Sequence, residues 1–380
     1  MILPDQGTRP SDSQTGHPAS FYDLSQEELQ PVLRDLRAPQ YRVRQVWSWA
    51  YRHLVSDFEA MTNLPAALRR ELARRYTLRP AELVDSTADQ ASRTRKDLLR
   101  LLDGETIETV LMEEPHGHTV CVSTQVGCPM RCTICATGRA GFRRNLTAGE
   151  IVYQVVHFGR LLAPRALRVT NVVFMGMGEP LLNYDATLLA IARLADPSGL
   201  SISPQRITVS TVGFPDRIVS LASQPYPVRL AISLHGADEE TRRGLMPLAG
   251  DVPLPQLISA CQTYARVRRQ RITFEYVMVA GVNDSVEHAR RLVSLIGALP
   301  AHVNLIPLNP VPGCDLRPSS PDAIEHFRNV LRRSRIPCTV RYSRGVRIRA
   351  GCGQLRSQAS GRAKRKENLP RRPGTRPKRE

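Results

Sequence analysis

The chain has 380 residues, 42% of them apolar, with a formal net charge of +18 and a pI near 10.2. That length can bury one large core plus a small extra domain, and a field that basic favours a polyanion, by default nucleic acid, over a solvated surface. No apolar run approaches the roughly 18 residues of a membrane span, and eight unpaired-looking cysteines behind a start without a basic-then-apolar pattern predict reduced thiols in the cytoplasm rather than a disulfide-framed secreted fold.

Residues 1–20 are polar and rich in Ser, Gly and Pro, which predicts a disordered lead. Residues 21–80 predict a helical accessory domain. Ser25 and Glu28 have the capping-box form, Leu29, Val32, Leu33 and Leu36 follow at helical spacing, and Pro39 ends that helix. The stretch YRVRQVWSWAYRHL puts Val43, Val46, Trp47 and Ala50 on one face, and a third helix near Pro65 carries Arg69, Arg70, Arg74 and Arg75. Apolar faces backed by arginine rows suit a bundle that touches phosphate, with both tryptophans expected in its core rather than as base-stacking platforms.

Residues 81–117 read as a β-hairpin linker, with Asp103-Gly104 between two apolar runs. Glu108 lies on the second run, where Ile107, Val110 and Leu111 leave its facing open. From 118 to 354 apolar strands alternate with amphipathic helices. Strands are expected at 118–123, 169–175, 206–211, 228–233, 272–279 and 302–306, and helices at 149–162, 184–195 and 285–299. This repeated βα pattern predicts an α/β fold with a parallel sheet curved into a full or partial barrel, whose working residues sit at the carboxyl ends of the strands. Residues 355–380 carry ten Lys/Arg against two Asp/Glu, +8 of the +18, and predict a disordered basic arm with nonspecific RNA affinity.

The strongest chemical signal follows the first barrel strand. Cys121 to Cys135 read CVSTQVGCPMRCTIC, and Cys128-x3-Cys132-x2-Cys135 crowds three thiols into one tight loop. Structural zinc takes four protein ligands, so zinc would need Cys121 as a fourth. An iron–sulfur cluster accepts three cysteines and leaves one iron open to a substrate. The spacing favours the cluster, with zinc as the alternative.

The second strand runs into Gly176-Met177-Gly178-Glu179-Pro180, whose glycines admit close backbone approach but which lacks the third glycine of a dinucleotide fingerprint. Ser210 ends the third strand, Ser233-Leu234-His235 the fourth, and Asn309 follows the sixth. Each alone is explained as a strand end or turn; their shared face makes them candidates for cofactor contacts. Two thiols stand apart from the triplet: Cys121, and Cys352 between two glycines. Thiols act as nucleophiles once ionised. Cys261, Cys314 and Cys338 read as small hydrophobes.

Taken in order, CVSTQVGCPMRC, GFRRNLTAGEI, NVVFMGMGEPLLNY, AISLHGADEETR, EYVMVAGVND, NLIPLNPVPG and GCGQL resemble the bacterial 23S rRNA adenine carbon-2 methyltransferases. That radical S-adenosylmethionine (SAM) family also acts on some tRNAs, and the resemblance covers residues 22–356. It implies a partial (β/α)6 barrel behind a helical accessory domain. It implies one [4Fe–4S] cluster on Cys128, Cys132 and Cys135, with SAM chelated to the open iron and contacted by Gly178, Glu179, Ser210, Ser233, Leu234, His235 and Asn309. Two SAM molecules per turnover are implied. Cys352 takes a methyl group from one; a 5′-deoxyadenosyl radical from the other removes hydrogen from that methyl. The carbon radical adds to adenine, and a disulfide between Cys121 and Cys352 then releases the covalently held RNA. Glu108 matches the family's proton acceptor by its distance before Cys121, although the residues alone leave Glu105 equally open.

The implied partners are 23S rRNA, tRNA and an electron donor such as a flavodoxin-type reductant, and the target adenine has to be unstacked. Ile134 stands where the family usually has an aromatic residue. Two rivals remain. A related carbon-8 adenine methyltransferase shares the cluster and both thiols, with Pro180 favouring carbon 2. A metal-stabilised RNA-binding protein without catalysis explains the charge and the triplet, but not Cys352, Glu179 and the βα repeat together.

Overall fold

The protein is described by a computed structural model covering residues 18–355. The expected disordered lead and basic tail lie outside the described residues, apart from their inner ends. Those ends differ from expectation: β1 (Ala19–Ser20) pairs in parallel with β2 (Tyr76–Thr77), and Leu355 is buried. Between these two short strands lie α1 (Gln26–Asp35), α2 (Arg42–Tyr51) and α3 (Ala66–Arg75). Ser25 and Glu28 form the reciprocal capping box, with the Glu28 N–H donating to Ser25 Oγ at 3.1 Å and the Ser25 N–H to Glu28 Oε2 at 2.7 Å.

The apolar stripes of the three helices close over Phe21, Tyr22 and Phe58, and Trp47 is buried among them. Trp49 departs from expectation. It is half-buried, with its ring centroid 4.6 Å from that of His53, and its Nε1 donates to Asn63 Oδ1. The helix period turns Trp49 away from the seam that buries Val46 and Ala50.

β3 (Ala81–Asp89), β4 (Thr94–Leu101) and β5 (Thr106–Glu114) form an antiparallel meander, with Gly104 of the Asp-Gly turn at φ +86°. This stretch is not a linker. β5 pairs antiparallel with β6 (Gly117–Cys121), so the meander continues the barrel sheet. After β6 comes a two-stranded ribbon, β7 (Gln125–Gly127) and β8 (Phe142–Asn145), enclosing the cysteine loop and the short α4 (Ala136–Ala140).

The parallel run then unfolds as α5 (Ala148–Leu162), β9 (Asn171–Phe174), α6 (Tyr184–Ala195), β10 (Ile207–Thr211), α7 (Pro215–Ala222), β11 (Arg229–Ser233), α8 (Glu239–Leu245) and α9 (Leu254–Arg268). It ends with β12 (Ile272–Met278), α10 (Val286–Ile296), β13 (Ala301–Pro307), α11 (Pro321–Arg333) and β14 (Cys338–Val340). The sheet order is β14-β13-β12-β11-β10-β9-β6-β5-β4-β3, parallel from β6 to β14.

All six expected strands are present, each end within two residues of its predicted position. β14 adds a seventh parallel strand. It escapes the sequence pattern because its three residues are only half-buried or exposed. The sheet is open, since β3 and β14 do not pair. It is nevertheless curved: beyond β14 the Gly345 N–H donates to Ser92 Oγ and Lys96 Nζ to the Arg349 carbonyl, which joins opposite ends of the strand order. The result is a trough with helices outside and an interior lined by polar side chains.

The accessory helices are fastened to the barrel through buried polar anchors. Trp47 Nε1 donates to Asp196 Oδ2, Arg193 to the Asp23 carbonyl, and Arg160 to the carbonyls of Leu54, Val55 and Leu78.

Candidate active site

The cysteine loop stands where β6 ends. Past Cys121 the chain still runs beside β9: the Val122 N–H donates to the Val173 carbonyl, and the Thr124 N–H to the Met177 carbonyl. Ribbon β7–β8 then lifts the loop over the mouth of the trough. Gly127 has φ +76°, and a Cβ there would lie 1.9 Å from the Gly141 carbonyl oxygen, so no larger residue fits this turn. Cys128 is buried; Cys132 and Cys135 are half-buried. The Thr133 N–H donates to the Leu245 carbonyl at the end of α8, and the Ala136 N–H to the Gly353 carbonyl at 2.7 Å.

Burial raises the Cys128 thiol, and the neighbouring Cys135, Cys132 and Glu179 add to that; Cys132 is raised in the same way. The three sulfurs therefore lie in one another's field and in that of Glu179, Cys128 buried and the other two half-buried. Among the described residues, no three His, Cys, Asp or Glu side chains converge closely enough to chelate a single metal ion. Cys121, the fourth ligand that zinc would need, lies in the field of Cys352 and is hydrogen-bonded to the Met175 backbone rather than to the triplet. Three thiols in one loop without a fourth protein ligand fit an iron–sulfur cluster with one open iron.

Glu179 lies across from the triplet, fully enclosed. Its Oε2 accepts the Val212 N–H at 2.9 Å and its Oε1 the Leu181 N–H at 3.0 Å. Burial lifts its carboxyl to about 7. A carboxylate so poised gains from an ammonium partner. Gly178 (φ +103°) is needed for closeness: a Cβ there would lie 2.6 Å from Gln125 Cβ.

On the trough floor Ser210 Oγ and Ser233 Oγ, on adjacent strands, are 3.4 Å apart. The Leu234 side chain is sunk in the core, its N–H donates to the Glu275 carbonyl and its carbonyl accepts the Gly236 N–H. His235 (φ +57°) accepts the Val277 N–H on Nδ1 at 3.1 Å, while its carbonyl accepts from Asn283. Burial, reinforced by Arg242, pushes its imidazole down to about 3, so it is neutral. Asn309 Nδ2 donates to Ser343 Oγ and to the Cys352 carbonyl.

The Cys352 loop packs against the cysteine loop. Its glycines serve close contact as much as freedom: a Cβ on Gly353 would lie 2.9 Å from the Ile134 carbonyl, and one on Gly351 3.0 Å from Asn309 Nδ2. Cys352 and Cys121, remote in the chain, lie in each other's field. Burial and Cys352 raise the Cys121 thiol to about 12. Burial also raises Cys352, opposed by Arg341 and by a hydrogen bond with Ser343. Both thiols are free.

The structure separates the two glutamates that the residues left open. Glu108 is buried, with Oε1 2.8 Å from Lys96 Nζ and its N–H directed to Met177 Sδ beside the Gly-Met-Gly turn. Glu105 lies at the meander turn against the exposed Arg143.

Four charged groups escaped sequence reasoning: Lys96, the buried Arg242, which donates to the carbonyls of Val212, Ala249 and Val252, and the paired Glu275 and Arg341. Only Glu275 carries a signal, a charge within the otherwise apolar stretch ITFEYVM; Lys96, Arg242 and Arg341 sit among other polar residues.

The family described as the Radical SAM superfamily matches residues 122–293, and the ribosomal RNA large subunit methyltransferase N-terminal domain matches residues 20–78. A probable dual-specificity RNA methyltransferase RlmN of Symbiobacterium thermophilum is 45% identical over 337 residues, 88% of this chain and 91% of its own. The dual-specificity RNA methyltransferase RlmN 1 of Myxococcus xanthus is 43% identical over 347 residues, 91% of this chain and 97% of its own. A crystal structure of a radical SAM methyltransferase from Sphaerobacter thermophilus is similar with a TM-score of 0.87 and 47% identity, covering 89% of this chain and 99% of that one. At such identity over nearly the whole described fold, the chain belongs to the RlmN family of radical SAM methyltransferases.

Proposed function

We propose that this protein methylates carbon 2 of a specific adenine in 23S rRNA and in tRNA, through a methylated Cys352 and a covalent RNA intermediate. The observation that supports this reading is that the Cys352 loop packs on the three-cysteine loop, the Ala136 N–H donating to the Gly353 carbonyl, with Cys121 in the electrostatic field of Cys352. Carbon 2 of adenine is electron-poor and does not displace a methyl group from SAM by ordinary attack. A thiol relay avoids that barrier by splitting the transfer into covalent steps.

Cys128, Cys132 and Cys135 would hold one [4Fe–4S] cluster, and Gly178, Glu179, Ser210, Ser233, Leu234, His235 and Asn309 would line the SAM site. When bound, these groups supply the methyl group and, on reduction by an external donor of the flavodoxin type, a 5′-deoxyadenosyl radical from a second SAM. The chain's residues do the rest. Glu179 binds the ammonium of SAM, and neutral His235 fixes the backbone turn under it. Cys352 receives the methyl group and presents it to the adenine. Glu108, oriented by Lys96, accepts the proton lost from the adenine ring. Cys121 remains a thiol at neutral pH, because burial holds it near 12, and so does not compete with Cys352 for the methyl group. It then attacks the Cys352 sulfur, so that the S–S bond forms as the S–C bond to the adenine-bound carbon breaks; that carbon keeps the electron pair and takes a proton to become the methyl group, freeing the RNA, and an external thiol-type reductant restores both cysteines.

The arginine-bearing accessory helices and the basic chain suit phosphate contacts. Among the described residues no helix is long and apolar enough to cross a membrane, and cytoplasmic residence completes the proposal. The test is anaerobic incubation with SAM, a reductant and rRNA or tRNA transcripts, followed by nucleoside mass spectrometry. 2-Methyladenosine is expected; 8-methyladenosine would transfer the chain to the carbon-8 reaction, and unmodified RNA would reject the activity.

A further inference from the structure

Glu275 has no role in the steps above, yet it stands on the inner face of the sheet. Its strand neighbours Phe274 and Tyr276 are sunk in the core, Tyr276 against Phe327 of the outer helix α11, so the pleat turns Glu275 into the trough. On β12 it is in register with Ser233 of β11 on one side and Asn304 of β13 on the other. It is 5% exposed. Its Oε1 accepts from Asn304 Nδ2 at 3.0 Å and lies 3.7 Å from Arg341 Nη1. Its Oε2 is buried without a hydrogen-bond partner among the described residues. A carboxylate oxygen left bare in this way is costly, and a donor arriving with a ligand relieves the cost. The Arg341 side chain is 36% exposed, and its guanidinium has more N–H donors than one carboxylate oxygen uses.

Hydrogen bonds and register place this pair below the reactive cysteine. Asn304 is level with Glu275 on one side and with Thr339 of β14 on the other. Arg341 lies two residues past Thr339 toward the mouth, its N–H donating to the Leu305 carbonyl. Two residues further, Ser343 Oγ accepts from Asn309 Nδ2, which also holds the Cys352 carbonyl. Down this wall of the trough the order is therefore Cys352, Arg341, Glu275. On the reading that Cys352 delivers a methyl group to carbon 2 of an adenine, we propose that Arg341 and Glu275 recognise the Watson–Crick edge of that adenine. The Arg341 guanidinium donates to N1, and Glu275 Oε2 accepts from the 6-amino group. Carbon 2, N1 and the 6-amino group follow one another along the base in the same order as the three side chains follow down the wall. An extruded base is commonly read on this edge. Guanine carries a proton on N1 and an oxygen at carbon 6, the reverse pattern, and would leave both protein groups unpaired.

The test is a ratio between substrates, which loss of packing alone does not move. The anaerobic holoenzyme is given SAM, a reductant and rRNA or tRNA transcripts in which the adenine that the parent methylates is kept or replaced. The replacements are purine, which lacks the 6-amino group, and inosine, which has oxygen at carbon 6 and a proton on N1. Nucleoside mass spectrometry gives the relative kcat/KM for each. The parent should favour adenine over purine by about 10–100-fold, the worth of one hydrogen bond to a charged group. In Glu275→Gln the amide N–H turns to the inosine oxygen, and the adenine-to-inosine ratio should fall about tenfold or more.

Equal kcat/KM for adenine and purine in the parent overturns the proposal, and so do parent ratios retained in the Gln variant. Retained ratios with a raised SAM KM for RNA-free methylation of Cys352 also overturn it, by giving Oε2 to SAM. If iodoacetamide labels core Cys261 of the Gln variant, that variant has lost its fold and Glu275→Asp decides: a smaller adenine-to-purine ratio supports the recognition, and an unchanged ratio overturns it. A parent that methylates no adenine-bearing transcript would instead overturn the underlying methylation reading.

Discussion

Asn309 and Cys352 are joined by a 2.9 Å hydrogen bond from the Asn309 side-chain amide to the Cys352 carbonyl, and the same nitrogen donates to Ser343 Oγ at 2.8 Å. One amide therefore ties the reactive loop to the end of β13. Asn309→Ala should loosen that loop, lowering the rate of Cys352 methylation about fivefold, as loss of one such hydrogen bond at about 1 kcal/mol implies. If Asn309 mainly touches the SAM adenine, the loss falls on the SAM KM instead. Separate measurement of kcat and KM distinguishes the two.

The two glutamates of the meander should behave oppositely. Glu108→Gln removes the charge partner of the half-buried Lys96, whose Nζ keeps the Arg349 carbonyl, and a hydrogen bond to a charged group is worth about 1.5–3 kcal/mol. Turnover should collapse and the melting temperature fall. Glu105→Gln breaks only an exposed pair with Arg143, worth less than about 1 kcal/mol, and should leave both close to the parent. Calorimetry and single-turnover assays on the two variants check this.

His235 predicts an acid-sensitive fold. Its folded-state pKa is depressed from 6.5 to about 3. Its contribution is fully present above about 6.5 and is lost as pH falls toward 3, with an upper limit of about 4–5 kcal/mol. Asn tolerates positive φ and keeps an acceptor for the Val277 N–H. His235→Asn should therefore flatten the pH dependence of denaturant midpoints in that window, and an unchanged slope would refute the assignment.

Gly127→Ala should block cluster incorporation. The added Cβ would fall 1.9 Å from the Gly141 carbonyl at a φ of +76°, and the residue's position in ribbon β7–β8 gives the clash no outlet. Iron content per chain should drop sharply, while far-UV dichroism reports an intact barrel.

The barrel was readable because buried parallel strands print continuous apolar runs, as VTNVVFM and RITFEYVM do. The capping box of Ser25 and Glu28 was readable because it is local. What escaped was long-range. Glu105 stops in the turn before β5, whereas Glu108 lies within β5, where Lys96 on the neighbouring strand meets it. The meander reads as a linker because nothing in 81–117 announces its pairing with β6. The glycines beside Cys352 suggested freedom, whereas the packed loop needs their lack of a side chain for contact with Ile134 and Asn309. Glu275 and Arg341 lie apart in the chain and become a pair only when β12, β13 and β14 align.

The central claim is that Cys121 resolves a covalent bond between Cys352 and RNA. The most direct measurement is a denaturing gel with mass spectrometry of Cys121→Ala protein after reaction with SAM, reductant and rRNA. The account predicts a methylated Cys352 and an accumulating protein–RNA adduct; normal turnover to free methylated RNA, with no adduct, would contradict it.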